Sequence, residues 1–116
     1  MHFDDHVKRT LRIYGRRAEE VHLFIDQYFP KYRISHRRLL HHRLGIELIV
    51  AKFGPEAWGP AEFHIVDDLG CVPGTWLDHD AGVVYLDPGD EAKQEEDLIL
   101  LYGRETYEKV RSGLAL

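Results

Sequence analysis

A chain of 116 residues can form one domain with a modest apolar core, so neither a disulfide nor a metal is required for folding. Its 15 lysines and arginines against 20 aspartates and glutamates leave a formal charge of -5, which argues against nucleic-acid binding through the surface as a whole. The single cysteine, Cys71, excludes an internal disulfide and a cysteine-rich zinc site, so any metal would be held by imidazole and carboxylate.

The N-terminus "MHFDDHVKRT" has no apolar leader, and no apolar run reaches the roughly 20 residues that span a bilayer, so a cytoplasmic protein is expected. Charge is unevenly distributed. Arg16, Arg17, Lys31, Arg33, Arg37, Arg38 and Arg43 make residues 8–17 and 31–43 basic, whereas Asp87, Asp90, Glu91, Glu95, Glu96 and Asp97 make residues 87–97 acidic. A basic face at 31–43 suits an acidic or phosphate-bearing partner.

In chain order, Asp4 and Asp5 can cap a first helix with Val7, Leu11 and Tyr14 on its inner stripe, ended by Gly15. A second helix from about Arg17 buries Ala18, Val21, Phe24 or Ile25, and Tyr28, with Pro30 at its end. The two would form a hairpin around Gly15. The third helix, about 36–53, carries Leu39, Ile46, Ile49 and Phe53 at helical spacing, with Leu40, Leu44, Leu48 and Ala51 on the adjoining arc. Its polar gap falls at His41, Gly45 and Lys52, so it is expected to be the buried central helix with His41 facing solvent. Gly54-Pro55 ends it. Pro60 then opens a short helix, "PAEFHIVDDL", closed by Gly70. Beyond that, "VVYL" at 83–86 is at most a minor extended element, "DPGD" is a turn before an acidic start at Glu91, and residues 92–112 are read as two helical pieces broken at Gly103, with a strand at "DLILLYG" as the alternative. The fold class is therefore mainly α, a compact single-domain bundle over 1–116 around the 36–53 helix.

Eight histidines are the compositional oddity. His64 lies three and four residues before Asp67 and Asp68, so an imidazole and a carboxylate share one helix face and can ligate one ion. His42 projects onto the buried arc, where a polar ring needs a partner or costs about 1–3 kcal/mol. Glu47 has Arg43 four residues earlier as its simplest partner. His6, His42, His64 and Asp68 are the first choices for ligands, with His36 and His41 as substitutes. Such a set, drawn from several helices, suits a divalent zinc, manganese, nickel or iron ion. Trp58, Trp76 and Tyr85 are expected to pack, and Cys71 to be a small buried filler.

Three stretches resemble known patterns. "HDAG" at 79–82 is similar in outline to the H…HD…D order of HD-type metal phosphohydrolases, but it follows a Pro-Gly loop where that fold has a helix, so the match is read as fortuitous. Arg37 to His42 has the R-x4-H spacing of HEPN-type ribonucleases, which implies His42 as acid or base and Arg37 on the phosphate, without a metal. "DDHVKRTLRIYG", "HRRLLHHRLGIELIVAKFG" and "HIVDDLGCVP" together resemble a family of small bacterial and phage proteins of uncharacterised function with the pattern D-H … H-R-x-L-x-H-H-x-x-G-I … F-G … H-I-x-x-D-L-G-x-x-P. The resemblance covers about residues 1–76, leaves the acidic part at 87–116 unaccounted for, and implies a shared helical fold. It carries no catalytic residues to transfer, but its pattern includes His6, His36, His41, His42, His64 and Asp68.

The leading expectation is thus a small protein that binds a divalent metal. The rivals are an interaction protein using the basic 31–43 face, with structural histidines, and a metal-independent nuclease using Arg37 and His42.

Overall fold

The computed structural model describes residues 17–78, 86–87 and 89–113. The expected first helix, its hairpin around Gly15, His6, the "HDAG" stretch and the 83–85 part of "VVYL" lie outside them. Every regular element among the described residues is helical: α1 (Arg17–Ile25), α2 (Phe29–Tyr32), a 3-10 turn (Arg33–His36), α3 (Arg37–Leu40), α4 (Arg43–Phe53), a second 3-10 turn (Pro55–Ala57), α5 (Trp58–Leu69), α6 (Trp76–Asp78), α7 (Glu91–Tyr102) and α8 (Arg104–Arg111). The mainly α class is as expected from the sequence. No helix among the described residues is long and apolar enough to cross a membrane.

Three boundaries differ from the sequence pattern for identifiable reasons. α5 begins at Trp58, not Pro60, which lies in its first turn where no backbone N–H is required. Pro30 does not end the preceding helix. That helix stops at Ile25, and Pro30 sits in the first turn of α2, where no backbone N–H is required. The central segment is not one helix but two, α3 and α4, because the chain breaks at His41 and His42. His41 leaves the helical region at ψ 56°, and His42 is extended at φ -157° and ψ 174°. The Arg43 N–H, freed by the break, donates to the Pro73 carbonyl at 2.8 Å, so the loop after α5 clamps the junction.

Gly45 makes that junction possible. A Cβ there would stand 2.1 Å from the Leu40 carbonyl oxygen and 2.7 Å from its carbon, so the first turn of α4 lies directly against the last residue of α3. At the far end of α5, Gly70 takes φ 80° and its N–H closes on the Val66 carbonyl, the left-handed termination that a glycine allows.

Two apolar clusters form the interior. One joins Val21 and Ile25 of α1, Ile46 and Ile49 of α4, and Ala61 and Ile65 of α5, with Ala57 between the last two helices. The other joins Tyr32, Leu39 and Leu40 to Trp76, Leu98, Tyr107 and Val110, so α7 and α8 pack on the α2–α3 side. The break between α7 and α8 falls at Gly103, as the sequence suggests. Of the aromatic residues expected to pack, Trp76 is buried and stacks against Tyr102 and Tyr107, whereas Trp58 is partly exposed and its indole N–H donates to Glu62. Cys71 is exposed, not a buried filler, since it follows the Gly70 stop on the surface loop.

The basic and acidic segments meet within the chain. Lys31 Nζ and the Tyr32 hydroxyl both bond to Asp97, which is buried, and Ser35 Oγ donates to Asp90 at 2.7 Å. Arg38 is only 5 % exposed and donates to Gln94 Oε1, whose amide nitrogen donates back to the Ser35 carbonyl. Burial and the Asp97 carboxylate push the Tyr32 phenol up to about 12. Arg37 and Arg38 thus turn inward instead of joining Arg33 and Arg43 on an exposed face.

Gly45→Ala tests the junction against helix propensity. Alanine in a helix is favoured over glycine by about 1 kcal/mol, but the added methyl meets backbone that has nowhere to yield, and overpacking of this kind costs about 1–3 kcal/mol or more. We expect a net loss of stability of up to about 2 kcal/mol in urea unfolding, with an unchanged m-value; a gain would show that α4 can slide away from Leu40.

Candidate metal centre

Three segments bring polar side chains to one buried point beside the α1–α5 contact. Asp26 follows the end of α1, its N–H donating to the His22 carbonyl at 3.1 Å. His41 projects from the break between α3 and α4. His64 and Asp68 lie one turn apart on α5.

The geometry is convergent. His41 Nε2 is 2.9 Å from Asp68 Oδ2 and 3.8 Å from Asp26 Oδ1. His64 Nε2 is 3.3 Å from each of the same two oxygens. All four donor atoms lie within 4.8 Å of one another. Donors held 2.0–2.2 Å from a tetrahedral zinc stand about 3.3–3.6 Å apart, so the observed edges bracket the spacing that such an ion imposes. The side chains of His41 and His64 are fully buried and that of Asp68 is 3 % exposed; Asp26, at 22 %, is the nearest to solvent.

His36 approaches from the other side of Asp26, with Nε2 3.1 Å from the same Oδ1. Its Nδ1 lies 2.6 Å from the Arg33 carbonyl, which can only accept, so the proton sits on Nδ1. A neutral His36 therefore points a lone pair at the Asp26 carboxylate. A second proton or a shared cation turns that contact from repulsive to attractive. On the outer side, Arg37 Nη2 lies 3.5 Å from Asp68 Oδ1, leaving Oδ2 for the two imidazoles.

These surroundings separate the ionisations. Burial opposes charge on Asp26, but hydrogen bonds from a protonated His36 and from His64, with the charge on His64 and His41, outweigh it and hold the carboxyl well below the usual range. Burial pushes the His41 imidazole down to about 3, with the neighbouring His64 and His36 adding to the effect against the Asp68 hydrogen bond, so its ring is neutral near pH 7. Burial also works against a charged His64, yet Asp26 and Asp68 raise it above the ordinary value. Neutral imidazole and ionised carboxylate are the forms a metal takes, so Asp26 and His41 stand ready, whereas His64 gives up its second proton to a metal.

Of the residues singled out in the sequence, His41, His64 and Asp68 meet here and His36 borders them, while His6 lies outside the described residues. The expectation that His41 faces solvent is overturned: the break in the central segment turns its ring into the core. His42 has a different task. It is the N-cap of α4, its Nδ1 accepting the Gly45 N–H at 3.1 Å and its Nε2–H donating to the Leu39 carbonyl at 3.0 Å. Both ring nitrogens are engaged by backbone, and the ring packs near Trp76 and Tyr102. Arg37 is engaged with Asp68, so it and His42 serve different partners. Glu47 pairs with Arg43 at 3.8 Å on the exposed side of α4.

Asp26 was not among the sequence candidates, although a signal for it exists. "HLFID" at 22–26 repeats the H-x-x-x-D spacing of "HIVDD" at 64–68, and α1 and α5 pack together, so the two motifs face a common interior. Spacing within one helix shows either motif; their convergence is a tertiary fact.

The cap assigned to His42 gives a test. His42→Asn keeps a short side-chain acceptor at the N-cap and should retain most of the stability, whereas His42→Leu leaves the Gly45 N–H unpaired and should cost about 1–3 kcal/mol in urea unfolding despite its greater apolarity. Equal stability of the two variants would remove the capping role.

Compared with known proteins, the chain matches no family model, no curated protein and no solved structure.

Proposed function

We propose that the protein binds a divalent metal ion, zinc, manganese, nickel or iron, through Asp26, His41, His64 and Asp68, with His36 as a further donor on the Asp26 side. One observation carries the reading: two imidazole nitrogens and two carboxylate oxygens from three separate chain segments converge with edges of 2.9–3.8 Å. The donor set is nitrogen and oxygen without thiolate, which suits these first-row ions. Two carboxylates brought this close in a largely buried setting repel each other unless positive charge lies between them. A divalent ion supplies that charge and, held by four protein donors, staples α1 and α5 to the α3–α4 junction.

The resemblance to the small bacterial and phage protein family is part of the same proposal. His36, Arg37, His41, His64 and Asp68 are all positions of its pattern, and on this reading the pattern records the metal centre and its border.

The test is elemental analysis by inductively coupled plasma mass spectrometry on protein purified without a histidine tag, together with thermal unfolding before and after chelation. We expect close to one equivalent of metal in the wild type, near-complete loss in Asp68→Asn and His64→Ala, and retention in His42→Asn. Free metal at about 100 times its dissociation constant would add about 2.7 kcal/mol of stability, lost on adding a chelator and restored by the ion. A wild type that is metal-free as purified and takes up none of the four ions when they are supplied would overturn the proposal.

A further inference from the structure

His22 lies outside the four-donor set, yet it is fully buried and its ring meets that of His64 at a centroid distance of 4.4 Å and an interplanar angle of 36°. The contact is between the two Nδ1 atoms. A contact between two ring nitrogens is favourable only when one carries a proton and the other a lone pair, so the pair has two arrangements that differ in which ring donates.

The arrangements have opposite consequences for the metal centre. If His22 donates, His64 Nδ1 is the acceptor, and a neutral His64 then carries its proton on Nε2, the atom that faces Asp26 Oδ1 and Asp68 Oδ2 at 3.3 Å. That atom cannot then ligate. If His64 donates from Nδ1, its Nε2 can present a lone pair between the two carboxylates once it holds no second proton. The ring contact therefore decides whether a neutral His64 presents a proton or a lone pair to the centre. In known metal sites the other nitrogen of a ligating histidine is usually bonded to a carboxylate or carbonyl that sets this choice, and here an imidazole occupies that place.

We propose that His22 is a positioning residue for the metal centre, accepting the Nδ1–H of His64 on its own Nδ1 so that the Nε2 lone pair of His64 faces Asp26, Asp68 and His41. The inference rests on the metal-binding reading and adds to it the residue that prepares His64. His22 also anchors the neighbouring ligand, since its carbonyl accepts the Asp26 N–H. Its ring and its backbone thus hold the two H-x-x-x-D segments in register with each other. An asparagine at this position carries its side-chain oxygen close to where Nδ1 lies and can accept the same proton; a leucine cannot.

The experiment combines nuclear magnetic resonance of 15N-histidine protein, metal-free and zinc-loaded, with zinc affinities from chelator competition. The expected results are a one-bond N–H coupling at His64 Nδ1, a scalar coupling through the hydrogen bond to His22 Nδ1, and a zinc affinity reduced about 10–100-fold in His22→Leu and largely restored in His22→Asn. Circular dichroism and urea unfolding identify any variant that fails to fold, and the couplings in the wild type decide the matter without a variant. A proton found on His22 Nδ1, no coupling between the rings in zinc-loaded protein, or wild-type zinc affinity in folded His22→Leu would overturn the inference while leaving the metal site in place. Couplings as expected in a wild type that takes up none of zinc, manganese, nickel or iron would support the His22–His64 assignment and overturn the metal reading alone.

Discussion

The contact of Gly45 with the Leu40 carbonyl is the constraint on which the rest of the arrangement depends. Without a Cβ at residue 45, α4 can start against the end of α3, and the chain turns within His41 and His42 instead of continuing as a helix. The turn frees backbone groups that must be satisfied in the interior. His42 supplies an acceptor to Gly45 and a donor to Leu39, and Pro73 accepts from Arg43. The same turn swings His41 toward Asp68. One missing methyl group therefore links a helix cap, a loop clamp and the placement of a ring in the polar centre.

That centre lies beside the apolar cluster of α1, α4 and α5, and its donors sit on α5, just past the end of α1 and at the α3–α4 break. Its groups are costly to bury singly, since an ionised carboxylate removed from water without compensation is destabilising by several kcal/mol. The chain compensates by density of partners: Asp26 Oδ1 is approached by three imidazoles and Asp68 by two imidazoles and a guanidinium. Breaking any one of these leaves the others buried with their charge unmatched. The polar network and the α1–α5 packing thus stand or fall together.

The basic and acidic stretches illustrate a second way in which sequence features acquire meaning. Read alone, residues 31–43 look like a docking face and residues 87–97 like a solvated acidic start. Folded, Lys31, Tyr32, Ser35 and Arg38 meet Asp97, Asp90 and Gln94, so α7 is fixed across α2 and α3 by hydrogen bonds as well as by Leu98. Segregated charge of opposite sign can be an internal seam as readily as a partner surface.

Local chemistry made much of this legible. The apolar spacing along 43–53 and 58–69, the stops at Gly54, Gly70 and Gly103, the position of Pro60 in a first helical turn and the pairing of His64 with Asp68 are one-dimensional facts, because helix periodicity and backbone stereochemistry act within a few residues. The burial of His42 was legible, but the face presented by His41 and the cap role of His42 were not. A projection at 100° per residue assumes an unbroken helix, and the break at these two residues resets the phase, turning the ring expected in solvent inward and making the other a cap. Asp26 was hidden for a related reason: it lies in a connection, where no period marks the inward side. Sequence by itself determined the residue types that can ligate and the helices that carry most of them; the tertiary structure decided which of them meet, because a site assembled across α1, the α3–α4 break and α5 depends on how separate segments pack, and packing is set by contacts between residues far apart in the chain, 42 positions for His22 and His64 and 66 for Lys31 and Asp97.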